Sequence, residues 1–290
     1  MKEIRIRQNE PDILILQFLQ RKMYDESKKY WRYGWHVSWI MLVCSLIFQL
    51  LNLESTATVI VTIAVLDVLI VLLEYLSNKK MKIGATAKYY IDNTLFEFSN
   101  TESKYTIKKI RELAIECSEK NNTSYEIQIR NTGKDNPPGL KDWYTVSSSD
   151  DNNQTIFMCQ EENSWWQSKL SNLYMKCLLV TIGVLMILSL LILCIFGITM
   201  ETFVLILLTN LGIVGKAIRD AMAMYKYNII QVRIHENIQM IKRMRKIDIS
   251  QLQLLQENIN ALREVNFLVP DFLHKMKSIK LHSLYSSINR

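Results

Sequence analysis

The 290-residue sequence contains little glycine and proline, eight and four residues respectively. This scarcity argues against long flexible linkers and low-complexity tails. The four histidines are scattered, and the chain has no HExxH motif, no GxSxG motif and no glycine-rich phosphate loop. Its five cysteines form no CxxC pair, so we interpret them as reduced thiols without a metal. The sequence therefore predicts a protein that is not an enzyme and has no catalytic residues, metal site or cofactor.

Hydrophobic residues make up 49% of the chain and are concentrated in four blocks, with the charged residues between them. The blocks are 35–53, 57–76, 176–198 and 202–218. Each approaches the ~20 apolar residues that a helix needs to cross a bilayer. Only short loops, 54–56 and 199–201, separate the blocks within each pair. The pattern predicts a mainly α membrane protein with two transmembrane helical hairpins, and it argues against a soluble enzyme, a disulfide scaffold and a disordered chain.

Lysine and arginine indicate the orientation of these spans. They are concentrated in the segment before the first span, in the long middle segment and in the tail, whereas both hairpin loops lack them. Because such residues stay on the cytoplasmic side, we expect both termini and the middle segment to be cytoplasmic in a multi-pass protein of the bacterial inner membrane. The tail is basic, which suits either contact with anionic lipid or a solvated helix face beside the membrane.

The predicted organisation has five segments: a cytosolic N-terminal amphipathic helix at 1–34, hairpin 1 at 35–76, a cytosolic α+β module at 77–175, hairpin 2 at 176–218 and a helical cytosolic tail at 219–290. Apolar residues recur at helical spacing over 12–29 and 106–118. Strict alternation over 125–130 predicts a strand in the middle module, and 142–146 and 155–160, separated by a polar run, are two further strand candidates.

Candidate ligand-binding residues lie in the middle module, where aromatic rings for stacking on a nucleobase accompany charged side chains. They are Arg130, Lys134, Lys141, Asp142, Trp143, Tyr144, Trp165 and Trp166. The same tryptophans also fit the core of a small domain or anchors at the membrane surface. Composition alone favours this structural interpretation.

Two polar residues fall within the predicted spans, Asp67 in the second and Asn210 in the fourth. A carboxylate near the bilayer centre normally faces a bundle interior or water. Asp67 therefore either lines a pore or a water-filled gap between subunits, or is protonated and hydrogen-bonded to Gln49, Thr62 or Asn210. Asn210, with Gly212 and Gly215 nearby, suits close helix approach in an oligomer as well as a conduit.

Three stretches resemble a known family. They are IRIRQNEPDILILQFLQRKMYDESKKY (4–30), which contains Gln8-Asn9 and the 24–28 stretch, LKDWY (140–144) and MCQEENSWWQSKLSNLY (158–174). Their order also matches: two spans, a cytosolic insert, two spans, and a helical tail with a late Val-Pro-Asp at 269–271. The chain resembles the SMODS-associated four-transmembrane effectors of bacterial CBASS antiphage systems over nearly its whole length.

The resemblance implies a sensor and effector in one chain. A partner nucleotide cyclase, activated by phage, would make a cyclic di- or trinucleotide that the cytosolic module binds. The spans of a homo-oligomer would then assemble or open, and the inner membrane would lose integrity. The infected cell would stop growing or die before the phage can mature. No DNA or RNA polymer is expected as a partner.

Two other classes of function remain open from the residues themselves. A constitutive or otherwise gated channel or transporter would conduct without the nucleotide, although the spans show no inverted repeat with broken helices. A passive membrane scaffold for a soluble partner would neither leak nor bind a nucleotide.

Overall fold

The computed structural model describes residues 4–50, 56–99, 103–133, 135–144, 152–196, 200–265 and 268. These residues contain eight helices and no strand. The helices are α1 (Ile4–Arg7), α2 (Pro11–Leu50), α3 (Thr56–Phe96), α4 (Lys104–Lys120), α5 (Asn122–Arg130), α6 (Asn152–Phe196), α7 (Met200–Lys242) and α8 (Ile249–Glu264). The prediction of a mainly α protein is confirmed.

Local signals account for where several helices begin. Pro11 is the first residue of α2, a position where its missing N–H costs no intrahelical bond. Ser103 caps α4, since its hydroxyl accepts a hydrogen bond from the backbone N–H of Thr106. The helices predicted over 12–29 and 106–118 are confirmed within α2 and α4.

The strand predicted over 125–130 is wrong, because these residues form most of α5. Alternation placed Tyr125, Ile127 and Ile129 on one face of a strand. In the helix, Tyr125 and Ile129 lie one turn apart and pack against a buried cluster of Leu14, Phe18 and Leu140. Ile127 is exposed. The helix is therefore packed through two of the three apolar residues.

The strand predicted over 155–160 is also wrong, because it lies in the first turns of α6. The buried residues there are Thr155, Ile156, Phe157, Cys159 and Gln160. Positions 155 and 156 share a helical face with 159 and 160, whereas Met158 is exposed. Of the third predicted strand, 142–146, residues 142–144 are not in a strand and the other two lie outside the described residues.

The chain divides into two compact units. The first unit comprises Met1–Ser27, Asn78–Trp166 and Ile229–Val265. The second unit comprises Lys28–Ser77, Gln167–Asn228 and Asn266–Arg290. The first unit thus contains parts of the N-terminal segment, the middle segment and the tail, while the second contains most of the predicted spans.

One helical stretch in the described part of the chain, Val61–Phe96, is long and apolar enough to cross a membrane by length and composition. It includes most of the predicted second span, and its charged residues lie mainly beyond residue 77. Within the second unit, Val61, Val65 and Val68 expose one apolar face, while Ile63 and Ile70 pack against Met41. The described residues of the other three predicted spans fall in α2, α6 and α7. Many of their side chains lie outside the described residues, and these spans stay predictions.

Candidate functional site

The first unit is built around a fully buried carboxylate, Asp92 on α3. Lys88, one turn earlier on the same face of α3, places its Nζ 3.0 Å from Asp92 Oδ1. Arg263 on α8 places its Nη1 2.7 Å from Asp92 Oδ2. Both cations are themselves buried. The cluster therefore holds one negative and two positive charges away from water, an arrangement that depends on close pairing.

Tyr144 extends this cluster to the loop between α5 and α6. Its buried hydroxyl donates a hydrogen bond to Asp92 Oδ1 at 2.8 Å. The Tyr144 hydroxyl oxygen in turn accepts hydrogen bonds from Lys88 Nζ at 3.3 Å and from Asn163 Nδ2 at 2.9 Å. Burial raises the pKa of Tyr144 well above its ordinary value, so at neutral pH the hydroxyl keeps its proton and acts as a donor to Asp92.

Two glutamines complete the network on the side of α8. Gln256 donates from Nε2 to Asp92 Oδ2 at 3.2 Å. Gln160 on α6 donates to Gln256 Oε1 at 3.0 Å and to the backbone carbonyl of Leu252 at 2.9 Å. Burial lowers the pKa of Arg263, but Asp92, Tyr144 and Tyr24 together raise it by more, so the pKa lies above its ordinary value and the guanidinium stays charged. Helices α3, α6 and α8 are thus connected through one set of buried polar groups.

The loop that carries Tyr144 is also bound by side chains of α2 and of the turn between α1 and α2. Arg21 donates from Nη1 to the Pro138 carbonyl at 2.9 Å and from Nη2 to the Gly139 carbonyl at 2.8 Å. It also donates to Gln128 Oε1 of α5 at 2.9 Å. A Cβ added at Gly139 would lie 1.7 Å from the Asn131 carbonyl oxygen, so this close approach requires glycine.

Gln8 and Asn9 fix the end of the loop through reciprocal hydrogen bonds. Gln8 Oε1 accepts from the Tyr144 backbone N–H at 2.8 Å. Asn9 Oδ1 accepts from the Asp142 backbone N–H at 3.0 Å, and Asn9 Nδ2 donates to Asp142 Oδ1 at 2.9 Å. Asp142 adopts a φ of 52°, which these bonds stabilise. The two sequence stretches that contain these residues are therefore in direct contact.

Trp143 offers the accessible aromatic surface of this region, with 37% of its area exposed. Lys88 Nζ lies 5.2 Å from the centre of its ring and Arg21 Cζ lies 6.0 Å from it. Arg21 also lines an open cavity of about 470 Å³, together with side chains of α5 and Pro137 and Pro138. The volume is within the range of small-molecule sites. Cationic and aromatic groups that suit a phosphorylated base therefore meet at Arg21 and Trp143.

The remaining predicted ligand-binding residues differ in exposure and in their contacts. Arg130 is 77% exposed at the end of α5 and pairs with Glu126 at 3.2 Å. Lys141 is half-buried, and its segment forms an isolated bridge with Thr132. Trp165 is half-buried on α6. Lys134 and the side chain of Trp166 lie outside the described residues.

The groups at the centre of the site were not predicted as site residues: Asp92, Lys88, Arg263 and Arg21. A signal exists for two of them, because Lys88 and Asp92 follow Met81 and Ala85 on the buried stripe of α3. Charged residues on such a stripe require partners. The partners are remote in sequence, and spacing alone does not identify them.

The second unit has its own polar cluster, centred on α7. Asp220 Oδ2 accepts hydrogen bonds from Trp31 Nε1 and Trp35 Nε1, both at 3.2 Å, and from the Tyr174 hydroxyl at 3.3 Å. Lys216, one turn earlier and fully buried, donates to Glu74 Oε1 at 3.2 Å. Side chains of α2, α3, α6 and α7 are therefore joined next to the predicted membrane boundary.

The two polar residues of the predicted spans, Asp67 and Asn210, both lie in helices. Asp67 is half-buried on α3, between the exposed Val65 and Val68. Asn210 belongs to α7, but its side chain lies outside the described residues. Both interpretations of Asp67 stay predictions. No group of three or more His, Cys, Asp or Glu side chains suited to a metal ion occurs among the residues that the structure describes.

Comparison with protein families gives a match over nearly the whole chain. A sequence model of the SMODS-associating 4TM effector domain matches residues 2–283. Comparisons with curated proteins and with solved structures gave no significant match. Because the match covers nearly the whole chain, including both polar clusters, the protein belongs to the SMODS-associating 4TM effector family.

Proposed function

We propose that this protein is an antiphage effector of the bacterial inner membrane that is activated by a cyclic di- or trinucleotide. The observation that carries the proposal is the match of the SMODS-associating 4TM effector domain over residues 2–283, because the SMODS association suggests coupling to a nucleotide cyclase. The ligand binds the first unit, and the membrane segments of a homo-oligomer then open or assemble to disrupt the bilayer. Neither step requires covalent chemistry by the chain.

The proposed ligand site is the region of Arg21, Trp143 and the adjoining cavity. Arg21 supplies a cation for a phosphate, and the exposed part of Trp143 supplies a face for a base. The cavity beside Arg21 also has hydroxyl groups from Thr123 and Ser124. Arg130, at the exposed end of α5, supplies a further cation, which it shares with Glu126.

The same loop connects the proposed site to the buried network. Trp143 precedes Tyr144, and Lys88 lies over both rings, 5.2 Å from one centre and 4.9 Å from the other. A ligand that stacks on Trp143 or attracts Lys88 would change how Lys88 is shared between Tyr144 and Asp92. Lys88, Asp92 and the predicted second span all belong to helix α3. A change in the contacts of Lys88 can therefore shift the helix that also forms the membrane segment.

Nucleotide binding is tested with the purified full-length protein in detergent. Isothermal titration calorimetry with a panel of cyclic di- and trinucleotides is expected to identify one that binds. Trp143→Ala should weaken its affinity about tenfold or more, since stacking contributes ~1–3 kcal/mol per base, and Trp143→Phe should retain most of it. Tyr105→Ala is the matched control, because Tyr105 is an exposed aromatic residue on α4.

Two results would contradict parts of the proposal. Equal affinity of the wild type and Trp143→Ala for an active nucleotide would remove Trp143 from the ligand site. Failure of the folded wild type to bind any member of the panel would contradict the sensor role itself. Leakage from vesicles without any nucleotide would favour a constitutive channel.

A further inference from the structure

We propose that the second unit binds the headgroup and upper acyl region of an anionic phospholipid in a cavity formed by α2 and α6. The cavity has a volume of about 390 Å³, within the range of specific small-molecule sites. Its walls combine a row of tryptophans with a row of basic side chains. This site is separate from the proposed nucleotide site and does not depend on nucleotide binding.

The tryptophan wall is held in place by the polar cluster of the second unit. Trp31, Trp35 and Trp39 follow one another by single helical turns along α2, and all three line the cavity. The indole N–H groups of Trp31 and Trp35 are already bound to Asp220. Trp31 also packs edge-on against Tyr174, with ring centres 6.0 Å apart. The rings of Trp31 and Trp35 therefore need no further polar partner and present apolar surface to an acyl chain.

The basic row runs beside the aromatic row on the same helix. Lys28, Arg32 and His36 are spaced by four residues and line the same cavity, with Arg32 and His36 exposed. None of the described residues that line the cavity is acidic. A ligand that complements this lining has a negative charge at one end and hydrocarbon at the other, as an anionic phospholipid does.

The position of the cavity in the chain also favours a lipid. Its α2 residues surround the start of the predicted first span at residue 35, and Cys177, Leu178 and Thr181 on α6 belong to the start of the predicted third span. Tryptophan and basic side chains are typical of the headgroup level of a bilayer. A phospholipid at this level reaches both rows at once, which a free phosphate does not.

The test is native mass spectrometry of the full-length protein in detergent with an equimolar mixture of phosphatidylglycerol and phosphatidylcholine. The wild type should retain one phosphatidylglycerol per chain in preference to phosphatidylcholine. Arg32→Gln should lower the apparent affinity for phosphatidylglycerol about fivefold. Lys29→Gln is the control, because Lys29 is an exposed neighbour that does not line the cavity.

A second pair of variants tests the cavity itself. Thr181→Phe places a ring in the cavity and should displace the lipid, whereas Val180→Phe places the same ring at an exposed adjacent position on α6 and should not. Thermal unfolding without lipid checks that each variant is folded.

Three outcomes would overturn the proposal. Equal retention of the two lipids by the wild type would exclude recognition of the anionic headgroup. Equal retention by Thr181→Phe and Val180→Phe would exclude this cavity. Displacement of the lipid by inorganic phosphate alone would identify a phosphate site without a role for the acyl chain.

Discussion

At the scale of the residue, Asp92 balances two cations that have no access to water. Lys88 and Arg263 are both within hydrogen-bond distance of its carboxylate. Tyr144 also donates to Oδ1 and Gln256 to Oδ2. A buried group of this kind contributes little net stability as a whole, but losing one member is costly because the others stay desolvated. The network therefore fixes one arrangement of α3, α8 and the loop.

Asp92→Asn should reduce the free energy of unfolding of the purified protein by about 3–5 kcal/mol, because it leaves Lys88 and Arg263 buried without a counter-charge. The measurement is chemical denaturation in detergent, followed by circular dichroism. Glu126→Gln is the control, since it removes a carboxylate from an exposed pair with Arg130 and should change stability by less than about 1 kcal/mol. Similar effects of the two substitutions would show that the buried network is not specifically stabilising.

At the scale of the element, the described part of the loop between α5 and α6, residues 131–133 and 135–144, is defined by contacts rather than by regular secondary structure. Arg21 binds its carbonyl groups, and Gln8 and Asn9 bind its end. Its two glycines differ sharply. Gly139 touches the Asn131 backbone, whereas a Cβ at Gly133 would meet nothing within 4 Å.

Gly139→Ala should therefore displace the loop, while Gly133→Ala should leave it unchanged. We expect Gly139→Ala to lower stability by about 1–3 kcal/mol, as overpacking does elsewhere, and to speed proteolytic cleavage within residues 131–144. Limited proteolysis at several protease concentrations, read by mass spectrometry, compares the two variants directly. Equal cleavage rates would mean that the close approach at Gly139 does not determine the loop conformation.

Elements with a strong helical period were predictable from the sequence, as α4 shows, but the short alternating segment 125–130 was not. A strand and a helix would both place Tyr125 and Ile129 on one face, so the pattern does not distinguish the two structures. In the folded chain these two residues pack from a helix against the cluster that contains Leu14. The candidate site was predictable only in part. Trp143 and Tyr144 were visible as aromatic residues among charges, whereas Arg21 and Arg263 act through partners more than a hundred residues away in the chain.

At the scale of the whole molecule, the chain combines a polar unit, centred on Asp92, with a unit that exposes apolar helix surface. The first has the groups that a charged ligand requires, and the second has those that a bilayer requires. Helices α2, α3, α6 and α7 each contribute residues to both units. The proposed combination of a sensor and a membrane effector in one polypeptide would account for this division of chemistry.

The central claim is tested most directly with the wild-type protein in sealed liposomes that contain a self-quenched dye. The account predicts dye release after addition of one cyclic di- or trinucleotide and no release with the others or without a nucleotide. Asp67→Asn should change the rate of that release if Asp67 lines the conducting path, while a wild-type rate would assign it a packing role. No release with any nucleotide, from protein shown to be folded and inserted, would contradict the account.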